Sequence, residues 1–121
     1  IPLVLVMNLN SSMVWSEIEP SADAILVSFG GGRTHSARDE ILFEIIAGNY
    51  EPSALLPMQQ PLDMETVEAQ YEDVPRDMDC YVDADGNTYD FTFGLNWSGV
   101  IDDERVAKYN VPPIVGTNPL E

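Results

Sequence analysis

Residues 24–48 have the sequence AILVSFGGGRTHSARDEILFEIIAG, and this stretch decides the fold class. Ala24–Phe29 is an apolar run typical of a buried strand, and it is followed by three consecutive glycines. Ser36 is suited to cap a helix, and apolar residues recur after it at helical spacing as far as Gly48, which supplies the C-terminal stop. The stretch therefore predicts a strand, a glycine-rich loop and a helix in succession.

A similar strand precedes this stretch. Residues 3–8 are apolar on both faces, which is the pattern of a parallel strand covered by helices on either side. Ser11 or Ser12 can cap a short helix that runs through Ile18 and is stopped by Pro20. Strand, helix, strand and helix within about fifty residues predict a parallel α/β unit. The expected fold class is α/β, with a small parallel sheet flanked by helices.

The second half of the chain has a different pattern. Residues 55–58 can form one short strand, and the acidic segment between Pro61 and Asp77 predicts an exposed excursion with a turn or two of amphipathic helix at 64–71. Residues 81–91 predict a β-hairpin extension with Asp-Gly at its turn. From Val106 to Pro119, three prolines and little periodicity predict a surface tail. We accordingly divide the chain into a domain at 1–100 and a tail at 101–121, and interpret residues 120–121 as a remnant of cloning.

The composition is strongly acidic. The 121 residues include 21 Asp and Glu against 5 Lys and Arg, which gives a net charge of −16 and a pI near 4.1. Binding to phosphate or to anionic lipid surfaces needs clustered Lys and Arg, so the composition argues against nucleic-acid and membrane partners.

The single Cys80 excludes an internal disulfide, and the apolar run at residues 1–7 is too short to span a bilayer. We interpret that run as a buried strand cut from something longer.

The glycine-rich loop is one candidate binding element. Residues 30–34 lie between a strand and a helix, where α/β proteins often hold ligands, but their spacing is neither that of a dinucleotide loop nor that of a Walker loop. His35 is the single histidine, and no G-x-S-x-G motif supplies a serine nucleophile for it, so a solvated side chain is the simpler interpretation. A non-catalytic, flavodoxin-like domain that binds a small ligand or a partner at this loop is one hypothesis for the function.

Other features allow both a functional and a structural interpretation. Residues 83–87 carry alternating acids that could hold calcium in a calcium-dependent module, but their spacing departs from a calcium loop and a hairpin turn explains them equally. Trp15 and Trp97 could stack on sugar rings, although their apolar neighbours favour packing. Glycoside hydrolysis needs two carboxyl groups, and no acid in this chain has a context that singles it out.

Two segments resemble the closing motifs of a known family. Residues 49–57, NYEPSALLP, and residues 91–97, FTFGLNW, are similar to G-x-Y-x-P-S-G-x-L-P and F-G-x-G-L-S-Y. Those motifs end the C-terminal α/β domain of glycoside hydrolase family three, the β-glucosidase family. Residues 1–10, 12–28 and 41–50 resemble earlier motifs of that domain, and all five occur in the family's order. The chain departs from the family at 53–57, which lack a glycine and an arginine, and at 29–34, which replace a P-G-x-E-G-G loop.

The resemblance implies that the chain is the last part of the C-terminal sandwich domain of a retaining, β-glucosidase-like enzyme. The family's nucleophilic Asp lies on an N-terminal TIM-type barrel and its acid/base Glu precedes this segment, so no catalytic residue is expected here. Gly31, Arg33 and His35 become substrate-binding candidates, because the corresponding loop approaches the sugar pocket. No metal or cofactor is implied.

The expected partners are the barrel of the same polypeptide and an oligo- or aryl-glycoside, and the family suggests a periplasmic or secreted enzyme. The isolated chain is expected to self-associate, through exposed apolar surface or through pairing at the open edge of the first strand.

Overall fold

The computed structural model describes residues 1–29, 35–71 and 74–112, with the backbone alone for residues 35–38. Within these ranges the chain is a mixed α/β protein with two small sheets and three α-helices. The elements are β1 (Val4–Leu9), β2 (Ala24–Phe29), α1 (His35–Ile46), α2 (Met64–Ala69), β3 (Leu95–Asn96), β4 (Gly99–Val100) and α3 (Glu104–Tyr109). A single 3₁₀ turn at Glu19–Ser21 precedes β2.

Strands β1 and β2 form a parallel pair, as the sequence predicts. Their register runs from Val4 opposite Ala24 to Leu9 opposite Phe29. Side chains alternate along β1: Leu5, Met7 and Leu9 point to the core, whereas Val4 and Val6 on the other face are 40% and 44% exposed. The expectation of two covered faces is therefore wrong for the described residues, where only one face of β1 is packed.

The segment between the two strands is not the short helix that the sequence predicts. The amides of Ile18 and Glu19 both donate to the carbonyl of Trp15, and a 3₁₀ turn follows. Pro20 lies in the first turn of that 3₁₀ helix rather than ending a longer one, because a proline there loses no intrahelical hydrogen bond. The tight turns allow Trp15 to point into the core, where it is buried.

The helices have clear physical boundaries. After α1, Gly48 has a φ of +80°, which suits the left-handed conformation that the predicted stop requires. Asp63 caps α2 by accepting a hydrogen bond from the amide of Thr66, and Asp103 caps α3 in the same manner from Arg105. Helix α3 occupies the first part of the segment predicted as a surface tail, because Asp103 provides its N-cap, and residues 107–112 are exposed.

The core joins the two halves of the chain. Leu9 and Trp15 from the first half pack with Tyr81 from the second, and partly buried apolar side chains surround them: Leu5, Met7, Met13, Ile18, Ile25, Val27, Phe29 and Tyr89.

The predicted hairpin is confirmed by the bridge between Val82 and Thr88 and by the hydrogen bond from the Tyr89 amide to the Tyr81 carbonyl. The exposed excursion begins only after Pro61, because residues 59–61 are buried.

Gln60 is the polar centre of this core, at 1% exposure. Its Oε1 accepts hydrogen bonds from the indole Nε1 of Trp15 at 2.8 Å and from the amide of Met13 at 3.2 Å. Its own backbone donates to the Tyr89 carbonyl and accepts from the Tyr81 amide. The Nε2 of Gln60 has no hydrogen-bond partner among the described residues. Two donors fix the orientation of the amide, since a flipped Gln60 would present N–H groups to both of them.

We expect Gln60→Leu to lower the free energy of unfolding by about 2 kcal/mol, because it leaves the buried donors of Trp15 and Met13 without an acceptor. Urea unfolding of the variant and of Gln70→Leu, which changes an exposed glutamine, measures this cost against a matched control. The control should stay within about 0.5 kcal/mol of the wild type. A gain in stability for Gln60→Leu would contradict the expectation and would show that the unpaired Nε2 costs more than the two bonds contribute.

Candidate functional site

The carboxyl edge of the parallel sheet is the place where the sequence predicts a site. The last residues of β1 and β2, Leu9 and Phe29, lie side by side there, and ligand crevices of α/β proteins form at such edges. Gly31 and Arg33 lie outside the described residues. His35 is the first residue of α1 and is described by its backbone alone. The three substrate-binding candidates therefore remain predictions.

The two segments that carry the family resemblance lie against each other. The Leu56 amide donates to the Phe93 carbonyl at 2.7 Å, and the Thr92 amide donates to the Leu56 carbonyl at 2.9 Å. Leu56 thus pairs with residues 92–93, although residues 55–58 do not form the strand predicted for them. A Cβ on Gly94 would collide with the backbone oxygen of Ala54, so only glycine permits this approach.

Thr92 holds an uncommon conformation at this junction. Its φ is 75°, which is an outlier for a β-branched residue, and its side chain is buried. Such a conformation costs on the order of 1–3 kcal/mol and persists only where the surroundings fix it. Here the hydrogen bonds of residues 92–93 to Leu56 on one side, and that of the Ile101 amide to the Gly94 carbonyl on the other, hold the segment in place.

A cluster of two carboxylates and two tyrosines links the 3₁₀ turn to the hairpin. The Tyr81 hydroxyl donates to Glu19 at 2.8 Å. The Tyr89 hydroxyl lies 3.4 Å from Glu19 and 3.3 Å from Asp83. The bond to Glu19 and then burial raise the pKa of Tyr81 to about 12, and burial followed by the charge of Glu19 raises the pKa of Tyr89. Both hydroxyls therefore remain donors at neutral pH and hold the acids in place.

The acidic residues at 83–87, considered above as a calcium site, have a structural role in the hairpin turn. The Oδ1 of Asp83 accepts from the amides of Asp85 and Asn87, and its Oδ2 accepts from Nδ2 of Asn87 at 3.0 Å. Burial acts to raise the pKa of Asp83, but these hydrogen bonds outweigh it and the pKa is lowered. The oxygens therefore serve the hairpin turn, and no group of three or more His, Cys, Asp or Glu side chains converges within the described ranges.

A polar centre that the sequence does not predict is built around Arg76. The guanidinium donates from Nη2 to Asp90 and Asn110 and from Nη1 to the carbonyl of Val111, and it lies 5.3 Å from the centre of the Phe91 ring. Arg76 has a φ of 59°, an uncommon left-handed conformation for this residue type. No local motif signals this centre, because its members come from distant parts of the chain.

Gln59 also belongs to this polar centre. Its Nε2 donates to Asp90 at 3.0 Å and its Oε1 accepts from the Met78 amide at 3.2 Å. Burial acts to raise the pKa of Asp90, but the donors from Gln59, the Phe91 amide and Arg76 outweigh it and the pKa is lowered. Nearby, burial and then the charge of Asp90 raise the pKa of Cys80 to about 11, so this thiol is protonated at neutral pH.

A cleft of about 450 Å³ opens beside this centre. Its walls combine polar, aromatic and aliphatic side chains: Ser12, Pro57, Met58, Gln59, Gln70, Tyr71, Val74, Pro75, Arg76, Asp77, Met78 and Phe91. Its volume lies within the range of small-molecule sites, roughly 300–1,000 Å³. A second depression of about 220 Å³ lies between residues 55–57, residues 91–92 and α3.

The two tryptophans have different surroundings. Trp15 is buried in the core, as its apolar neighbours favour, and is not available to stack on a sugar. Trp97 lies in the turn between β3 and β4 and is 58% exposed, so its ring is accessible. The packing favoured for Trp97 is therefore wrong, and a contact of this ring with a ligand stays a hypothesis.

Comparisons of the chain with protein-family models, with curated proteins and with solved structures find no match. None of the helices described is long and apolar enough to cross a membrane.

We expect Gly94→Ala to lower the free energy of unfolding by about 2 kcal/mol or more, because the new methyl group has no space against the Ala54 backbone. Gly86→Ala is the matched control: its surroundings are open, so only the strain of its positive φ, about 1 kcal/mol, applies. Chemical denaturation of both variants tests the prediction. Equal losses would mean that residues 54 and 94 do not pack as described.

The lowered pKa of Asp90 predicts a specific dependence of stability on pH. Its stabilising contribution is fully present above the pKa of an unfolded aspartate, about 3.9, and is lost as the pH falls through the folded-state value. Asp90→Asn should therefore flatten the acid limb of a plot of unfolding free energy against pH. The control Asp102→Asn also removes one negative charge, but from an exposed position. An unchanged acid limb in Asp90→Asn would contradict the assignment.

Proposed function

We propose that the chain is the closing part of the C-terminal α/β sandwich domain of a glycosidase that hydrolyses O-glycosyl bonds with retention, in the manner of a β-glucosidase. The observation that carries the proposal is the pairing of the two motif segments. Leu56 exchanges backbone hydrogen bonds with residues 92–93, and Gly94 admits the backbone of Ala54. Separate patterns in a sequence need not meet in space. Their contact is consistent with one shared structural role.

The uncovered apolar surface supports membership of a larger protein. Ile41, Phe43 and Ile46 of α1 are all exposed, with Phe43 at 68%, and they do not share one face of the helix. A helix that is apolar on several sides is normally buried within a larger core. Together with the bare face of β1, these residues favour further layers of sheet and helix around the described elements. In the proposal, the same polypeptide supplies those layers and the TIM-type barrel. Without them, exposed strand edges and apolar side chains favour self-association.

Hydrolysis with retention needs a nucleophilic carboxylate and a carboxylic acid with a raised pKa, about 5–5.5 Å apart. Glu19 and Asp83 are bridged through Tyr89, but the tyrosine hydroxyl occupies the space between them. The pKa of Asp83 is lowered, which is opposite to what a general acid needs. This pair therefore does not suit catalysis, and the proposal takes the catalytic carboxylates from the barrel and from the segment that precedes this chain.

The role of the chain in the reaction is then structural: it helps to form the sugar pocket and contains no catalytic group. The barrel's Asp attacks the anomeric carbon, the leaving oxygen takes a proton from the acid, and water hydrolyses the covalent glycosyl-enzyme intermediate. The chain closes the sheet, packs against the barrel and shapes the far wall of the sugar pocket. Gly31, Arg33 and His35 are the residues proposed for that wall.

An assay of two proteins in parallel on a panel of nitrophenyl α- and β-glycosides tests the proposal. The first protein is the 121-residue chain, and the second is the longer polypeptide that contains it. We expect β-glycosidase activity from the longer protein and none from the chain, because the catalytic carboxylates belong to the other domain. Turnover by the purified chain would overturn its assignment as a supporting part, and silence from the longer protein would overturn the glycosidase assignment.

A further inference from the structure

We propose that the cleft beside Arg76 is a binding site for a neutral, hydroxylated ring of the pyranoside class. The cleft consists of the side chains named above around a volume of about 450 Å³, which accommodates a small sugar. Hydrogen-bonding groups that are not used within the described residues indicate that the cleft is a site. The choice of sugars among neutral hydroxylated rings also rests on the proposed function.

The cleft offers unused donors. A guanidinium carries five N–H groups, and the three hydrogen bonds of Arg76 leave Nε–H and one Nη1–H without a partner in the described part of the chain. Gln59 is more than nine-tenths buried, but its side chain hydrogen-bonds both Asp90 and Cys80, so the unused donors of the cleft are those of Arg76. Groups this well fixed gain a hydrogen bond at little further cost in side-chain entropy.

The same cleft offers unused acceptors. The Oδ2 of Asp77 accepts from the Tyr71 amide at 2.7 Å, and its Oδ1 meets no donor among the residues that the structure describes. Ser12 donates its hydroxyl proton to the carbonyl of Gln59, so its oxygen can still accept. Donors and acceptors thus line one cavity together.

This mixture selects the class of ligand. A carboxylate or phosphate would use only the donors and would meet a chain of net charge −16, whereas an ammonium group would use only the acceptors. A hydroxyl group both donates and accepts, so a ring with several hydroxyls satisfies both sets. The charge of Arg76 is already matched by Asp90 at 3.2 Å, which also favours an uncharged ligand.

Aromatic side chains supply the apolar surface that such a ring needs. Tyr71 is 72% exposed at the rim, and its hydroxyl has no partner within the described ranges. Phe91 lies in the wall with Arg76 against its ring, so Tyr71 is the residue available for stacking. The backbone of Arg76 is left-handed, and conformational strain of this kind is concentrated at functional sites such as ligand clamps.

Amide chemical-shift mapping of the 121-residue chain with methyl β-D-glucoside and cellobiose tests the proposal. We expect saturable shifts centred on the amides of residues 59, 76–78 and 91. Tyr71→Ala should weaken binding about fivefold through loss of stacking, and Asp77→Asn should also weaken it. Tyr50→Ala is the matched control, because Tyr50 is exposed and does not line the cleft. Thermal unfolding of each variant confirms that it remains folded.

The site assignment is overturned by an absence of shifts at millimolar sugar, by shifts centred elsewhere, or by equal weakening in Tyr50→Ala. Stronger shifts at the same amides with tetramethylammonium would overturn the ligand class. Because mapping requires no turnover, these outcomes are separate from those of the glycosidase assay: a silent longer protein with a sugar-binding chain would reject only the proposed hydrolase.

Discussion

The buried amide of Gln60 is the interaction on which the rest of the structure depends. Its side chain holds the indole of Trp15 from the first half of the chain, and its backbone pairs with Tyr81 and Tyr89 of the hairpin. The segment between the two parallel strands and the hairpin therefore meet through this one residue. A buried polar group is favourable only when its bonds are made, so the Nε2 that lacks a partner among the described residues is a cost that the surrounding packing must offset.

The hydrogen bonds of the neighbouring Gln59 are a second constraint on the structure. This neighbouring glutamine faces the opposite way and connects to Asp90, which in turn holds Arg76. Consecutive buried glutamines therefore support two different structures, the apolar core on one side and the polar cleft on the other. Hydrogen bonds from Arg76 to Asn110 and Val111 extend the second structure to the C-terminal segment after α3.

The described elements bury few large side chains for their length. Among the described residues the buried hydrophobic core consists of Leu9, Trp15, Tyr81 and Ile101, whereas α1 and the outer face of β1 leave apolar side chains in solvent. A chain of this size that folds alone normally covers such faces. The proposal of a larger enzyme accounts for this surface, because the missing layers would cover it without any change in the described fold.

The elements that the sequence alone determined are those whose signals are local. Ala24–Phe29, the helix that ends before Gly48 and the Asp-Gly hairpin follow from periodicity and turn chemistry, which act over a few neighbouring residues. The acid-capped helix α2 belongs to the same group, within the segment predicted for it. By contrast, the helix expected before Pro20 does not form, because burial of Trp15 outweighs a local capping signal.

Only the tertiary structure decided which residues act together. Gln59 and Gln60 have no sequence signal, since a glutamine is usually exposed and becomes buried only when distant donors and acceptors satisfy it. Asp90, Arg76 and Asn110 likewise meet through folding rather than through spacing. The close approach of Gly94 to Ala54 also joins segments about forty residues apart, and hydrophobic periodicity carries no information about such pairings. Local chemistry thus fixed the elements, whereas long-range hydrogen bonding and packing fixed the core and the cleft.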